Sequence, residues 1–153
     1  MITEFRGQYR FLSNFYTCPV AFEDVMYPSS EHAFQAAKTL DLAVRNQISK
    51  IEKAGDTKRA GKTVVLRPDW EMVKVRIMEE IVLMKFKNNI NIQKKLLATK
   101  DETLIEGNNW HDTFWGVCNG VGLNYLGRIL MTTRYLIWRD LEISSRCGKK
   151  YYR

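Results

Sequence analysis

Tyr27-Pro28-Ser29-Ser30-Glu31-His32-Ala33-Phe34-Gln35-Ala36-Ala37-Lys38 is the stretch on which the layout of the chain turns. Pro28 and Ser29 punctuate, and a serine hydroxyl accepts from the free N–H groups of a first helical turn. Glu31 falls in that turn, where the helix dipole favours a carboxylate. Ala33, Ala36, Ala37 and Leu40 follow at i, i+3, i+4 and i+7, so a helix from about Ser29 to Leu40 turns a small apolar face inward. Glu31, Gln35 and Lys38 share the opposite face. Periodicity alone makes that face a solvated one. Phe34 on the flank fits better if the polar stripe lines a cleft. His32 lies about a hundred degrees round the helix from Glu31, which suits a supporting role.

Outward from this helix, residues 1–27 read as two or three strands or loops, broken by Gly7, Pro19 and an acidic turn at Glu23-Asp24. A second helix spans about Leu42 to Ala54. Gly55-Asp56 separates it from a turn ending near Lys62, and Thr63–Leu66 reads as a brief strand. Pro68-Asp69 opens a long helix to about Lys87, with Asp69 a natural N-cap. A short helix covers 91–98 and Thr103–Glu106 reads as a strand. The Gly-, Asn- and Trp-rich segment Asn108–Gly122 has little periodicity and is a loop, a common seat of function. A last helix runs from about Leu123 to Leu141. The sum is a single α+β domain over 1–141, mostly helical with a small sheet, followed by a basic tail over 142–153.

At 153 residues, 45% hydrophobic and 12% aromatic, the chain can bury a real core. No apolar run approaches a membrane span, and Met1–Arg6 has no charged-then-apolar leader. The expectation is a cytoplasmic protein. The odd count of three cysteines, with no CxxC spacing, argues against a disulfide framework and a zinc site. Two histidines are too few for a histidine metal cluster. The formal charge of +7 points to an anionic partner: phosphate, nucleotide or nucleic acid. Arg146, Lys149, Lys150 and Arg153 beside Tyr151 and Tyr152 read first as a frayed, solvated tail, and secondly as an accessory nucleic-acid grip.

Several cations sit where apolar residues belong. On the long helix Trp70, Val73, Ile77, Ile81 and Met84 form one apolar arc, and Lys74 and Lys85 fall outside the polar arc. Lys74, between Trp70 and Met78, either snorkels along its stem or meets a carboxylate or anionic ligand in a cleft. A desolvated lysine is also a potential nucleophile. On the last helix Arg134 sits among Leu126, Leu130, Ile137 and Leu141, as a buried ion pair in preference to a phosphate clamp. Arg128 is nearer the loop and better placed for a ligand.

Taken in order, four motifs resemble the NADAR, or YbiA-like, superfamily. They are Phe11-Leu12-Ser13-Asn14-Phe15-Tyr16, the opening Tyr27–Lys38 stretch, Arg67-Pro68-Asp69-Trp70-Glu71 with Val73-Lys74, Met78 and Lys85-Phe86, and Asp112-Thr113-Phe114-Trp115-Gly116 with Gly122, Asn124, Leu126-Gly127-Arg128 and Leu130-Met131. Any one is weak; the ordered set is specific and spans about residues 5–139. The resemblance implies the YbiA-like fold and an N-glycosidase that cleaves a ribose C1–N bond without a cofactor. The substrate it implies is a phosphoribosylamino intermediate of riboflavin synthesis or ADP-ribosylated guanine in nucleic acid. The family's acidic catalytic residue falls on Glu31, and further site positions on Lys38, Trp70, Asp112 and Trp115. Lys74 is added on its misplaced charge. Arg6, Arg67 and Arg128 are assigned to the ribose phosphate, and Phe15, Tyr16, Trp70 and Trp115 to base stacking. Asn14, Gly116 and Asn124 join them in substrate binding. Val117-Cys118-Asn119 stands where relatives often carry a small acidic or Gly-rich stretch, which leaves base specificity open. So does the chemistry: direct attack by water, or a Schiff base on Lys38 or Lys74. A non-catalytic module binding ADP-ribose or nucleic acid is the alternative.

Overall fold

The computed structural model describes residues 1–148. A 3-10 turn at Gly7–Leu12 leads to a hairpin of β1 (Val20–Phe22) and β2 (Val25–Tyr27). The strands pair antiparallel with Val20 opposite Tyr27. Glu23 and Asp24 both adopt positive φ, which a two-residue turn of this hand requires. The acidic turn is thus where the sequence puts it. Next come α1 (Ser30–Ala36), α2 (Leu42–Ser49), α3 (Ala54–Ala60), α4 (Trp70–Lys87) and α5 (Ile90–Ala98). A second small sheet pairs β3 (Gly107–Asn108) and β4 (Val117–Cys118) in parallel. The closing α6 is Tyr125–Gly148.

The core forms where α4 packs on α6, β1, α1 and α5. Ile77, Met78, Ile81, Val82 and Phe86 of α4 meet Leu126, Leu130 and Ile137 of α6 and Val20 and Phe22 of β1 in one buried cluster. Ala33, Ala36 and Ala37 are fully buried in it, the close helix contact their size permits. The chain start is tied in by a parallel bridge from Ile2 to Leu104. The domain is mostly helical with small sheets, as the sequence predicts. No helix among the described residues is long and apolar enough to cross a membrane.

Several boundaries move. The first helix stops at Ala36, because Ala37 and Lys38 turn to bring Thr39 and Asp41 into place; Asp41 Oδ1 caps α2 through the Ala43 (2.8 Å) and Val44 (3.3 Å) amides. The second helix ends at Ser49, and Gly55-Asp56 is inside α3 instead of between helices. Asp56 in the first turn and Lys58 and Arg59 in the last complement the dipole of that short helix. Thr63–Leu66 forms no strand, and Val65 is largely exposed. Asp69 occupies the N-cap position of α4 without capping, because Arg67 takes its carboxylate at 2.6 and 3.0 Å. Of Thr103–Glu106 only Leu104 makes a bridge, and the pairing strand is the next two residues. The predicted loop 108–122 carries β4, and α6 starts at Tyr125 and passes Leu141 without a break. Residues 142–148 therefore continue the helix and are no frayed tail. Lys149, Lys150, Tyr151, Tyr152 and Arg153 lie outside the described residues. Among the described residues Arg134 pairs with no carboxylate. Its Nη1 donates to Thr99 Oγ1 (2.7 Å) and the Glu102 carbonyl (2.9 Å), pinning α6 to the turn after α5.

Candidate active site

Four segments enclose a cleft of about 780 Å³. Residues 5–15 form one wall with Phe5, Arg6, Arg10, Asn14 and Phe15. Glu31, Phe34 and Gln35 of α1, with Lys38 just past its end, form the floor. Lys58 reaches in from α3, and Glu106, Trp110, Asp112 and Trp115 close the far side.

Every residue of α1 is buried. Ser29 caps the helix by accepting from the His32 amide, and its hydroxyl meets His32 Nδ1 at 2.7 Å. His32 Nε2 donates to the Ile51 carbonyl at 2.9 Å, and burial lowers the ring's pKa. His32 is thus a neutral strut between α1 and the end of α2, away from the cleft. Glu31 is only 6% exposed. Its amide donates to the Asn14 carbonyl (3.0 Å) and its Oε1 accepts from Gln35 Nε2 (2.8 Å). Burial pushes the Glu31 carboxyl up; the Gln35 hydrogen bond and the Lys58 and Lys38 charges pull it back, and Asp112 adds to the rise. The Lys38 amine is held low by burial, opposed by Glu31 and reinforced by Lys58 and Lys62.

The far side is built by side chains that template the backbone. Asn108 Oδ1 accepts from the Trp110 (3.3 Å) and Asp112 (3.1 Å) amides, while its Nδ2 donates to the carbonyls of Asp112 (2.7 Å) and Val117 (3.2 Å). Asp112 Oδ1 in turn accepts from the amides of Phe114 (3.1 Å) and Trp115 (2.8 Å). Gly116 is where this loop meets residue 106: a Cβ there would lie 2.2 Å from the Glu106 carbonyl. Asn124 braces the same place, accepting from the Glu106 amide (3.0 Å) and donating to the Leu104 carbonyl (2.9 Å). Glu106 so held keeps one buried oxygen, Oε2, without a partner. Burial, with Asp112 nearby, pushes its carboxyl up to about 7 against the pull of Lys85, Arg6 and Lys58.

Aromatic rings back the cleft. Phe34 lies 5.3 Å from Trp115 and 5.0 Å from Trp70. Phe114 sits between Trp115 (4.9 Å) and a stacked Tyr125 (4.6 Å). At the mouth Trp110 and Phe15 are exposed, with Lys58 Nζ 6.0 Å above the Phe15 ring.

The structure therefore brings Glu31, Lys38, Asp112, Arg6, Asn14, Phe15 and Trp115 of the sequence-selected residues into one cleft. Others stand elsewhere. Lys74 is half-buried, paired with Glu71 and 4.4 Å above the Phe114 ring, which corrects its placement in the cleft. Its misfit in the apolar arc is a cation on an aromatic face. Arg67 is engaged by Asp69, and Arg128 is exposed beside Tyr125. Tyr16 turns to the Lys85 amine (5.8 Å), Trp70 is buried behind Phe34, and Gly116 and Asn124 shape the backbone around Glu106 without lining the cleft. Sequence reasoning passed over Arg10, Lys58, Glu106 and Trp110. Arg10 adjoins the first motif and offered a signal. Lys58 was hidden in a segment read as a turn, and Glu106 at the end of one read as a strand. Lys85, which the sequence also sets outside the polar arc, stands behind the cleft wall. It is fully buried, donates to the Ser13 carbonyl at 2.8 Å from behind the Asn14–Phe15 wall, and burial lowers its amine to about 8.

The family model of the NADAR domain matches residues 3–138. An N-glycosidase of Nostoc punctiforme is 38% identical over 89% of this chain and 90% of its own length. The N-glycosidase YbiA of Escherichia coli is 35% identical over 80% of this chain and 78% of its own. A riboflavin biosynthesis protein of Vibrio vulnificus is 39% identical over 81% of this chain, which spans 34% of that relative's length. The NMR structure of E. coli YbiA matches with a TM-score of 0.79 at 33% identity, over 88% of this chain and 81% of that one.

Proposed function

The chain belongs to the NADAR family, and on that premise we propose that it is an N-glycosidase for a phosphorylated ribosyl-amine, hydrolysing the ribose C1–N bond of a phosphoribosylaminopyrimidine. The observation that carries this reading is a buried carboxylate, Glu31, at the floor of a cleft lined by Arg6, Arg10, Lys38 and Lys58. Cleavage of a C1–N bond builds positive charge on C1 and the ring oxygen. Glu31 as an anion faces that charge in a site largely shielded from water, where such stabilisation counts most. The bonding electron pair leaves with nitrogen, which takes a proton. Glu106, with its carboxyl pushed up to about 7, keeps a proton on a substantial share of the molecules at neutral pH. Water adds to C1, and its proton returns to a carboxylate of the site. The cations receive the phosphate. Trp110, Phe15 and Trp115 offer faces for the base. Relatives named for N-glycosidase activity and for riboflavin biosynthesis support the small-molecule substrate.

Glu31→Gln is expected to fold normally and to lose on the order of a hundredfold or more in turnover. Wild-type turnover in that variant would sink the assignment. The purified protein is to be given phosphoribosylaminopyrimidine and ADP-ribosylated DNA separately, and released base or ADP-ribose followed by mass. Release from the pyrimidine supports the reading. Release from the DNA alone transfers the substrate to ADP-ribosyl-guanine, and release from neither with tight binding makes the protein a binding module. Lys38, whose amine burial lowers beside Glu31, is the candidate for an alternative route: it attacks C1 as the base leaves with the C1–N electron pair, the ribose ring opens to give an imine, and water hydrolyses the imine to free the lysine. Borohydride trapping of an adduct on Lys38 tests that route against direct attack by water.

A further inference from the structure

Gln35 and Gly61 form a contact that the proposed reaction does not itself require. Gln35 is 4% exposed and gives its Nε2 to Glu31. Its Oε1 is buried and has no hydrogen-bond partner. A carboxamide with an orphan acceptor is not held by that end. Packing holds it instead: Oε1 lies against Gly61, the buried residue that ends α3. A Cβ on Gly61 would fall 1.9 Å from Gln35 Oε1 and 2.7 Å from its Cδ. The backbone of Gly61 is ordinary right-handed helix, φ −63° and ψ −11°. Any residue adopts that conformation, so glycine is needed here for space alone.

We propose that Gly61 is a positioning residue for Glu31, acting through Gln35: the bare Cα of Gly61 lets the Gln35 carboxamide reach back and hold the Glu31 carboxylate. The closest clashes that a methyl group would create are with the end of a flexible side chain, which can withdraw and so give up the Glu31 hydrogen bond; its 3.0 Å approach to the Gln35 Cβ asks for a small further shift between α3 and α1. The consequence has a sign. Gln35 lowers the Glu31 carboxyl pKa, as do Lys58 from α3 and Lys38 from the end of α1, while Asp112 from the loop 106–115 raises it. Withdrawing Gln35 removes one of the groups that keep Glu31 ionised, so its titration moves to higher pH.

The catalytic consequence rests on the function proposed above; the titration does not. The Glu31 carboxyl is followed by carbon-13 NMR in the unliganded protein, assigned by its disappearance in Glu31→Gln. Gly61→Ala and Gln35→Ala should each raise its midpoint, and Gly61→Ala/Gln35→Ala should raise it no further than Gln35→Ala alone. With phosphoribosylaminopyrimidine, each single variant should lose about tenfold in kcat, with KM little changed. A wild-type midpoint in Gly61→Ala, or additive shifts in the double variant, would overturn the proposal. Should Gly61→Ala lose stability, Gln35→Ala in the same chain removes the Oε1 and Cδ clashes but keeps the Cβ that the methyl would approach at 3.0 Å, so it should restore Tm in part; no restoration at all also overturns it. If Glu31→Gln keeps full turnover while the midpoints shift as stated, the positioning stands and the catalytic reading falls.

Discussion

Glu106 shows what a single residue's surroundings do to its chemistry. A carboxyl raised from 4.5 to about 7 binds a proton in the folded state that it has lost in the unfolded one. Between those pH values the native state holds more protons, so stability falls as pH rises, by about 3 kcal/mol in all if the whole shift is expressed. Below 4.5 both states are protonated and the penalty is absent; above 7 it is present in full. Glu106→Gln should therefore flatten the decline, and urea denaturation of both proteins across this range measures the difference. Parallel curves would mean that Glu106 is not raised. The same group, acting as proton donor, should give kcat/KM a basic limb near pH 7 that Glu106→Gln abolishes. None of this was legible in Thr103-Leu104-Ile105-Glu106 as sequence. The environment of Glu106 comes from the way the following loop folds back, bringing Asp112 and the tight passage at Gly116 against it, and from Lys85 on α4, and no local periodicity records either. Glu31 was legible only in part. Helix periodicity puts it on a polar face, and a polar face reads alike whether it meets bulk water or a cleft; the ordered motifs gave it its weight.

On α4 the sequence marks a cation out of place but not how deep it goes. Lys74 and Lys85 lie about three turns apart, on nearly the same side of the helix. Both therefore miss the polar arc. Lys74, near the start, reaches Glu71 and the Phe114 ring and stays half-exposed. Lys85, near the end, is fully buried beside Tyr16 and Cys18, and its ammonium donates to the Ser13 carbonyl. Depth is a property of packing, and no period in the sequence records it. The consequence for function runs through charge. Lys85 is one of the groups holding the Glu106 carboxyl down. Lys85→Met, close in volume, should move the basic limb of kcat/KM to higher pH, because Glu106 then keeps its proton longer. It should also loosen the wall at Asn14 and Phe15 and raise KM. A basic limb that stays in place would show that Lys85 and Glu106 do not couple. The α2–α3 boundary failed for a related reason. Gly55 looks like a break, yet the chain turns at 50–53, and α3 packs against α1, with Thr57 buried and Gly61 against Gln35.

At the scale of the whole molecule, part of the positive charge gains a location. Arg6 and Arg10 come from the N-terminal segment, Lys38 from the end of α1 and Lys58 from α3, and they meet at one cleft. The order of the motifs predicted that distant segments share a site, but not which cations would reach it: Arg67 and Arg128 were chosen and are engaged or placed elsewhere. An arginine's reach depends on which neighbour claims it, as Asp69 claims Arg67. Cations gathered in a concave, partly desolvated space raise the local concentration of an anionic substrate and lose that effect as salt screens them. Arg10 and Lys58 are exposed, and their loss leaves the core untouched. Arg10→Ala/Lys58→Ala should therefore keep the wild-type Tm while KM for the phosphoribosylated substrate rises about tenfold or more, one phosphate contact of this kind being worth roughly 1.5–3 kcal/mol; Arg10→Ala alone, which leaves the charge of Lys58 on Glu31 and Glu106 in place, should keep kcat as well. Wild-type KM should climb between about 0.05 and 0.5 M salt, over which the Debye length shortens to a few ångströms, and the double variant should climb less. The dephosphorylated nucleoside should show neither effect. Equal KM values for wild type and variant at low salt would place the phosphate elsewhere and leave the gathered charge without a role in binding.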